Sequence, residues 1–425
     1  MSRILQNPRS SCALGGAVAA VTRIDRAIPI YHSGPGCALQ TFSGQIHASG
    51  GHSSYVTGVG VPCTNMFQQE VIFGGAQRLR ETIEGSLEVM DGDIYFVLTG
   101  CTADIIGDDT AGIVEEFVRR GYPIAHIETG GFKGDSYKGY ESVVNVLASR
   151  LTLEPAKKQP KTVNLLGITP SQELFWAGNI EEISRLLNRI GVAVNSFFSA
   201  GQGIETIRSS SEAALNIIFS PWLCREAEQI YREKYGIESW RYSGIPVGTT
   251  ATTAFLREIG ERLQIDERLV AGVVEQEERY VYDYLETVVD NLTRYRFAIV
   301  GDTNTVLGLT SFLVNDYSQI PIAAVITDEI RDEDKSGITA VLSNLEYSSA
   351  PEVHFEQDQW KIQQILRRQD LRMILGSSFE KETADELDTI FFNVSFPTRD
   401  KIILNRTYAG YRGCLTLVED MYYNF

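Results

Sequence analysis

The sequence predicts three doubly wound, Rossmann-like α/β domains built on parallel sheets. Three observations carry that expectation. Short apolar runs of strand length recur along the chain, each ends at a glycine or polar turn, and each is followed by a segment with apolar residues at helical spacing. Strands alternating with helices favour parallel sheets whose ligands sit beyond the carboxyl ends of the strands.

In the first region, residues 28–32 and 94–99 read as strands and 113–120 as a helix. Residues 163–167 read as a buried strand, and 180–190 as a helix closed by Gly191. Residues 192–198 and 216–219 are the next strands, followed by a helix through Ala227 and Tyr231. A charged helical stretch runs over 267–295. The pattern restarts with a strand at 297–302 and a helix through Leu307 to Leu313. Strands at 322–326, 352–355 and 373–376 then alternate with helical segments. The polar, basic, proline-containing stretch 154–161 reads as a linker. With the end of the charged helix as a second boundary, the expected domains are 1–160, 161–295 and 296–425.

The 425 residues include 55 acidic and 38 basic side chains, a formal charge of −17. That balance argues against a nucleic-acid partner, which needs a basic face. A hydrophobic fraction of 43% with 22% charged residues is that of a folded chain and excludes wholesale disorder. The start shows no charged-then-apolar leader, and no apolar run is long enough to span a bilayer. The expectation is a cytoplasmic protein with no membrane contact, where thiols stay reduced and clustered cysteines mean metal or redox chemistry.

Of six cysteines, Cys12, Cys37, Cys63 and Cys101 fall in the first quarter of the chain, while Cys224 and Cys414 stand alone. Cys37 ends the turn His-Ser-Gly-Pro-Gly-Cys, where glycines let backbone approach a bulky inorganic cluster. Cys101 lies just past a strand and before a short helix, whose amino end favours the thiolate a metal needs. Cys12 also precedes a helix, at Gly15-Gly16. No CxxC occurs, so zinc-ribbon and ferredoxin motifs are absent. Cys63 is less distinct, and Cys224 and Cys414 read as packing residues, Cys224 within an amphipathic helix.

Cys12, the turn ending at Cys37, Pro-Cys-Thr-Asn-Met-Phe-Gln-Gln-Glu-Val-Ile-Phe-Gly-Gly over 62–75 and Thr-Gly-Cys-Thr-Ala-Asp-Ile-Ile-Gly-Asp-Asp over 99–109 together resemble the nitrogenase component 1 superfamily. Residues 244–256, 297–313 and 408–413 extend the resemblance over nearly the whole chain. It implies a β-type subunit in which Cys12, Cys37 and Cys101 bind a P-cluster-type iron–sulfur cluster, 8Fe–7S or related, shared with an α-type subunit at the interface. Cys63, His32 and Gly131 are possible neighbours of that cluster. Gly131 takes the place of a serine that some β chains offer to the oxidised cluster. An α-type chain would need a second-domain cysteine straight after the strand at 216–219 and a histidine near the carboxyl end. Cys224 comes about one turn too late for that role. The last histidine is His354, so both ligands are missing.

The resemblance further implies a homodimeric ATP-binding iron protein with a 4Fe–4S cluster, docking on Ile72, Phe73 and Gly74, and an α2β2 heterotetramer. No catalytic residue is expected on this chain, the metallocluster being on the α-type partner. The turn at Cys37, the early arrival of Cys12 and Gly131 favour a nitrogenase-like reductase over a dinitrogen-fixing enzyme, and among such relatives the chain most resembles methylthio-alkane reductases, which implies reductive C–S cleavage of methylthio-alkanes. A dinitrogen-reducing nitrogenase and a cofactor-assembly scaffold are the alternatives. His47 and His52 flank a glycine–serine stretch at 49–51 that reads as a mobile loop, and His126 lies in the first domain.

Overall fold

The central strands are largely apolar runs, and the sheets explain why. Residues 8–39, 61–199, 201–289, 293–399 and 401–423 are described by a computed structural model of the chain. Among them are three sheets, every strand pair parallel. Strands covered on both faces lose the in–out alternation of half-exposed ones.

The first sheet has the order β1 (Ala27–His32), β2 (Ile94–Thr99), β3 (Ile124–Ile127). All residues of β1 and β2 are buried. The second contains β4 (Gln159–Leu166), β5 (Ala193–Asn195), β6 (Ala213–Phe219) and β7 (Glu238–Tyr242), in the order β5-β4-β6-β7. The third contains β8 (Arg296–Gly301), β9 (Ile320–Ile326), β10 (Glu352–Phe355), β11 (Met373–Gly376) and β12 (Ile390–Asn393), in the order β10-β9-β8-β11-β12. Strand order reverses between β4 and β6 and between β8 and β11, the doubly wound arrangement that the alternating pattern predicts.

The helix Ala13–Val21 is buried along its whole length and packs against Ser136–Val146. Glycines permit this approach: a Cβ on Gly16 would lie 1.9 Å from the Ser136 carbonyl oxygen, and one on Gly139 2.0 Å from that of Ala13. The carboxyl-terminal helix Gly410–Tyr423 packs on Gly248–Arg262, Glu267–Val289 and Trp176–Arg189, the helices of the middle of the chain.

Several boundaries differ from those expected. Only 193–195 of the predicted strand 192–198 joins a sheet, because Phe197 takes φ 62° and turns the chain off the ladder. The basic stretch 154–161 is partly strand: β4 starts at Gln159, with its first three residues exposed. The charged helix is Glu267–Val289. Among the described residues no helix is long and apolar enough to cross a membrane. His47, His52 and the stretch 49–51 lie outside the described residues.

Candidate metal centre

β1 and β2 are adjacent and parallel, so the turns leaving their carboxyl ends abut. The Gly100 N–H donates to the His32 carbonyl at 2.9 Å, and a Cβ on Gly100 would lie 2.5 Å from the Ser33 hydroxyl. From the first turn rises a helical segment, 35–39, carrying half-buried Cys37. From the second rises the helix Cys101–Ile106, with Cys101 exposed at its first position.

Cys12 reaches the same edge from a different direction. It is the exposed N-cap of Ala13–Val21 and forms an isolated antiparallel bridge with Asp135, and the Ala13 N–H donates to the Gly134 carbonyl at 3.0 Å. The loop after β3 completes the arrangement. The Gly131 N–H donates to the Cys101 sulfur at 3.0 Å, and a Cβ on Gly131 would lie 3.1 Å from that sulfur and 3.6 Å from the Cys12 sulfur. Two thiols separated by 89 positions thus meet at one glycine. Asp104, one turn below Cys101, fixes the loop by accepting from the Gly130 N–H at 3.0 Å and pairing with Lys133 at 3.4 Å.

Cys63 lies beside Cys37. Its residue bridges to Tyr31, its thiol donates to the Ser33 carbonyl at 3.4 Å, and its sulfur accepts from the Asn65 N–H at 3.4 Å. Burial pushes this thiol up, the Asn65 bond opposes the shift, and the nearby Cys37 charge adds to it. Among the described residues no cysteine is in a disulfide. Cys224 and Cys414 are wholly buried, and burial pushes both thiols well up, which keeps them protonated and inert. Cys224 is not inside a helix as expected. It caps Arg225–Tyr235 in the left-handed region at φ 60°.

His32 turns both ring nitrogens to protein partners. It is fully buried, with Nε2 3.0 Å from Asp108 Oδ2 and Nδ1 3.3 Å from Thr64 Oγ1. Burial lowers its pKa below the ordinary histidine value, against the pull of Asp108. Asp108 also accepts from the Gly75 N–H through both oxygens at 3.0 Å, which ties the end of helix Gln68–Phe73 to the turn after Cys101. Sequence reasoning missed Asp108 and Asp104, although both sit in the quoted 99–109 motif. On that helix Ile72 is 70% and Phe73 82% exposed, and Gly74 ends it at φ 91°. Phe67 and Ile105 are also exposed, and their helices touch, so exposed apolar side chains gather here. His126 is in β3, and burial lowers its pKa.

Among the described residues the other two sheets present no exposed cysteine at their carboxyl edges. At the switch point of the second sheet, Asn304 Nδ2 donates to the carbonyls of Gly167 (3.0 Å) and Phe219 (2.6 Å). Beyond the carboxyl end of β11 in the third, Arg9 donates to Ser377 Oγ at 2.8 Å and to Glu380 Oε2 at 3.1 Å.

Among the described residues no three Cys, His, Asp or Glu side chains close around a single metal ion. A mononuclear site is therefore not built here. A polynuclear iron–sulfur cluster has different needs, because each cysteine binds a different iron and ligands are spread over the cluster's width. Exposed sulfurs at Cys12 and Cys101, a third on the abutting turn, a glycine that leaves room and an N–H aimed at sulfur fit part of such a cluster.

A model of the family described as nitrogenase component 1 type oxidoreductase matches residues 12–425. The nitrogenase molybdenum-iron protein beta chain of Azotobacter vinelandii is 22% identical over 450 residues, covering 98% of this chain and 83% of that one. The same-named chain of Methanococcus maripaludis is 24% identical over 452 residues, covering 97% and 92%. A solved structure titled "Nitrogenase Cp1 at pH 6.5" superposes with a TM-score of 0.83 at 18% identity, covering all of this chain and 93% of the other, which shows a common fold. With a family match that starts at the first of the clustered cysteines and runs to the last residue, the chain belongs to the nitrogenase component 1 type oxidoreductases.

Proposed function

We propose that this chain is the β-type, electron-relaying subunit of a nitrogenase. Cys12, Cys37 and Cys101 hold one side of a P-cluster-type iron–sulfur cluster, and an α-type partner completes the site and carries the catalytic metallocluster. The observation that carries the reading is the meeting of Cys12 and Cys101 at Gly131 on an exposed sheet edge. When bound, the cluster would supply one-electron acceptor and donor chemistry. The chain's own residues do the rest: three thiolates bind, the Gly131 N–H donates to sulfur, and Asp104 holds the loop in place. An incomplete ligand set on an exposed edge calls for a second chain, and an α2β2 assembly follows by the family's pattern. The apolar patch around Phe73 receives the ATP-dependent iron protein, and Asp108 joins that patch to the Cys101 turn.

Dinitrogen is the substrate this reading favours, since the relatives described above are molybdenum-iron beta chains matched over most of their length. Methylthio-alkane reduction, the expectation from the sequence, draws no support from them. A non-catalytic scaffold fits less well with a retained set of exposed thiols. The test is co-purification with the α-type partner. Cys37→Ala and Cys101→Ala should each lower iron content and remove the paramagnetic signal of the interface cluster. Iron unchanged in both would end the assignment. Turnover of dinitrogen and acetylene against dimethyl sulfide then decides the substrate.

A further inference from the structure

Doubly wound sheets bind ligands beyond the carboxyl ends of their strands, and beyond β11 of the third sheet this chain places a side chain from 350 or more positions away. Arg9 is 7% exposed. Its Nη2 donates to Ser377 Oγ at 2.8 Å and to Glu380 Oε2 at 3.1 Å, and its Nη1 donates to Glu380 Oε1 and to Gln359 Oε1, making a two-pronged contact with the carboxylate. The guanidinium lies 5.6 Å from the centre of the Phe379 ring. Ser377 follows β11 directly, and its N–H and hydroxyl both donate to Glu380, at 2.7 and 2.8 Å. Burial alone would raise the Glu380 carboxyl, yet Arg9 and these bonds hold it below the ordinary range.

Three residues after Arg9 comes Cys12, where the chain is gripped again, by Cys12's own bridge to Asp135 and by the bond from Ala13 to Gly134. Between the two grips Ser11 is exposed, and Cys12 at the second is exposed as well. The segment therefore spans from the third sheet to the first with Cys12 near its end. A planar, bidentate arginine is suited to setting such a span, because it fixes direction as well as distance.

We propose that the Arg9–Glu380 pair is the positioning device for Cys12, so that the third sheet helps to decide how the shared cluster is held. The proposal rests on the cluster reading given above. Breaking one partner leaves a buried charge and can prevent folding, whereas replacing both with apolar residues of similar size generally does not. The decisive variant is accordingly the double substitution Arg9→Met with Glu380→Leu, made in the complete complex with its partner. Arg9→Lys, which keeps charge but loses the fork, is the companion.

The readouts are iron per complex, the paramagnetic resonance of the interface cluster and its midpoint potential. A second charge pair spanning the second and third sheets' helices, Arg225 with Asp334, serves as the control through Arg225→Met with Asp334→Leu. The expected result is an altered resonance or a shifted potential in the Arg9 variants at a thermal midpoint like that of the control, with the control's resonance unchanged. A double variant with wild-type iron, resonance and potential overturns the proposal. So does one that fails to assemble while Arg9→Lys is wild type in all three readouts. If Cys12→Ala also leaves iron and resonance unchanged, the cluster reading itself has failed.

Discussion

Replacing Gly139 with alanine drives a methyl group into the backbone of the neighbouring helix. The new Cβ would lie 2.0 Å from the Ala13 carbonyl oxygen and 2.6 Å from the Ala17 nitrogen. Comfortable non-bonded separation is about 3.5 Å, so the helices Ala13–Val21 and Ser136–Val146 must part by about 1 Å or more. Neither can turn aside at low cost. Every residue of the first is buried, and Gly16 on it approaches the Ser136 backbone just as closely. Overpacking of this kind costs about 1–3 kcal/mol, and contact with rigid backbone rather than a movable side chain puts this case near the upper end, about 3 kcal/mol. Cys12 caps the displaced helix, so it should also move relative to Gly131. The assay is the thermal midpoint of the complex together with its iron content, beside Gly85→Ala as control. Gly85 is an exposed helix residue with nothing within 4 Å of its Cβ position, and alanine there should stabilise by about 0.5–1 kcal/mol. A Gly139→Ala complex that melts with wild type and keeps its iron would refute the reasoning about this helix contact.

Two further outcomes are expected. Asp328 is fully buried and its carboxyl is pushed up to about 7 by burial, then by the Asp302 charge, while Thr303 opposes the shift. A carboxyl with a raised folded pKa stabilises when protonated and loses that contribution as pH rises from its unfolded value of 3.8 towards 7. Asp328→Asn should therefore raise stability at pH 8 by on the order of 1–3 kcal/mol and match wild type near pH 4. Its amide oxygen can still accept from Thr303 and the Trp222 indole. Equal denaturation midpoints at pH 8 would contradict this. Phe73, 82% exposed, should tolerate alanine within about 0.5 kcal/mol of stability, yet the variant should lose turnover coupled to the iron protein. Wild-type turnover at every iron-protein concentration would remove Phe73 from the docking patch.

The alternation of apolar runs and helical segments was enough to read the fold class, because strands buried on both faces are mostly apolar and so announce themselves. Boundaries were less legible where backbone conformation rather than side-chain polarity ended an element. Phe197 is as apolar as a strand residue and is buried, but φ 62° takes it off the ladder. Cys224 was misplaced for the same reason: its neighbours have a helical pattern, while its own left-handed conformation makes it a cap. In the candidate site, glycine-rich turns marked Cys37 and Cys101, since a turn leaving a strand is a local feature. Asp108 was overlooked because its partners, His32 and Gly75, are 76 and 33 positions away. Arg9 was overlooked because its carboxylate is 371 positions away.

The sequence by itself determined the number and kind of layers, the cysteines that sit in turns and the family motif that groups them. These depend on periodicity and on local turn chemistry, which a chain carries in its order of residues. Only the tertiary structure decided that Cys12 and Cys101 share Gly131, that Phe73 is exposed rather than core, that Asn304 bonds the ends of β4 and β6, and that Arg9 pairs with Glu380. Each of those facts is a meeting of segments far apart in the chain. Such meetings are set by packing and by the satisfaction of buried polar groups, which belong to the folded molecule as a whole.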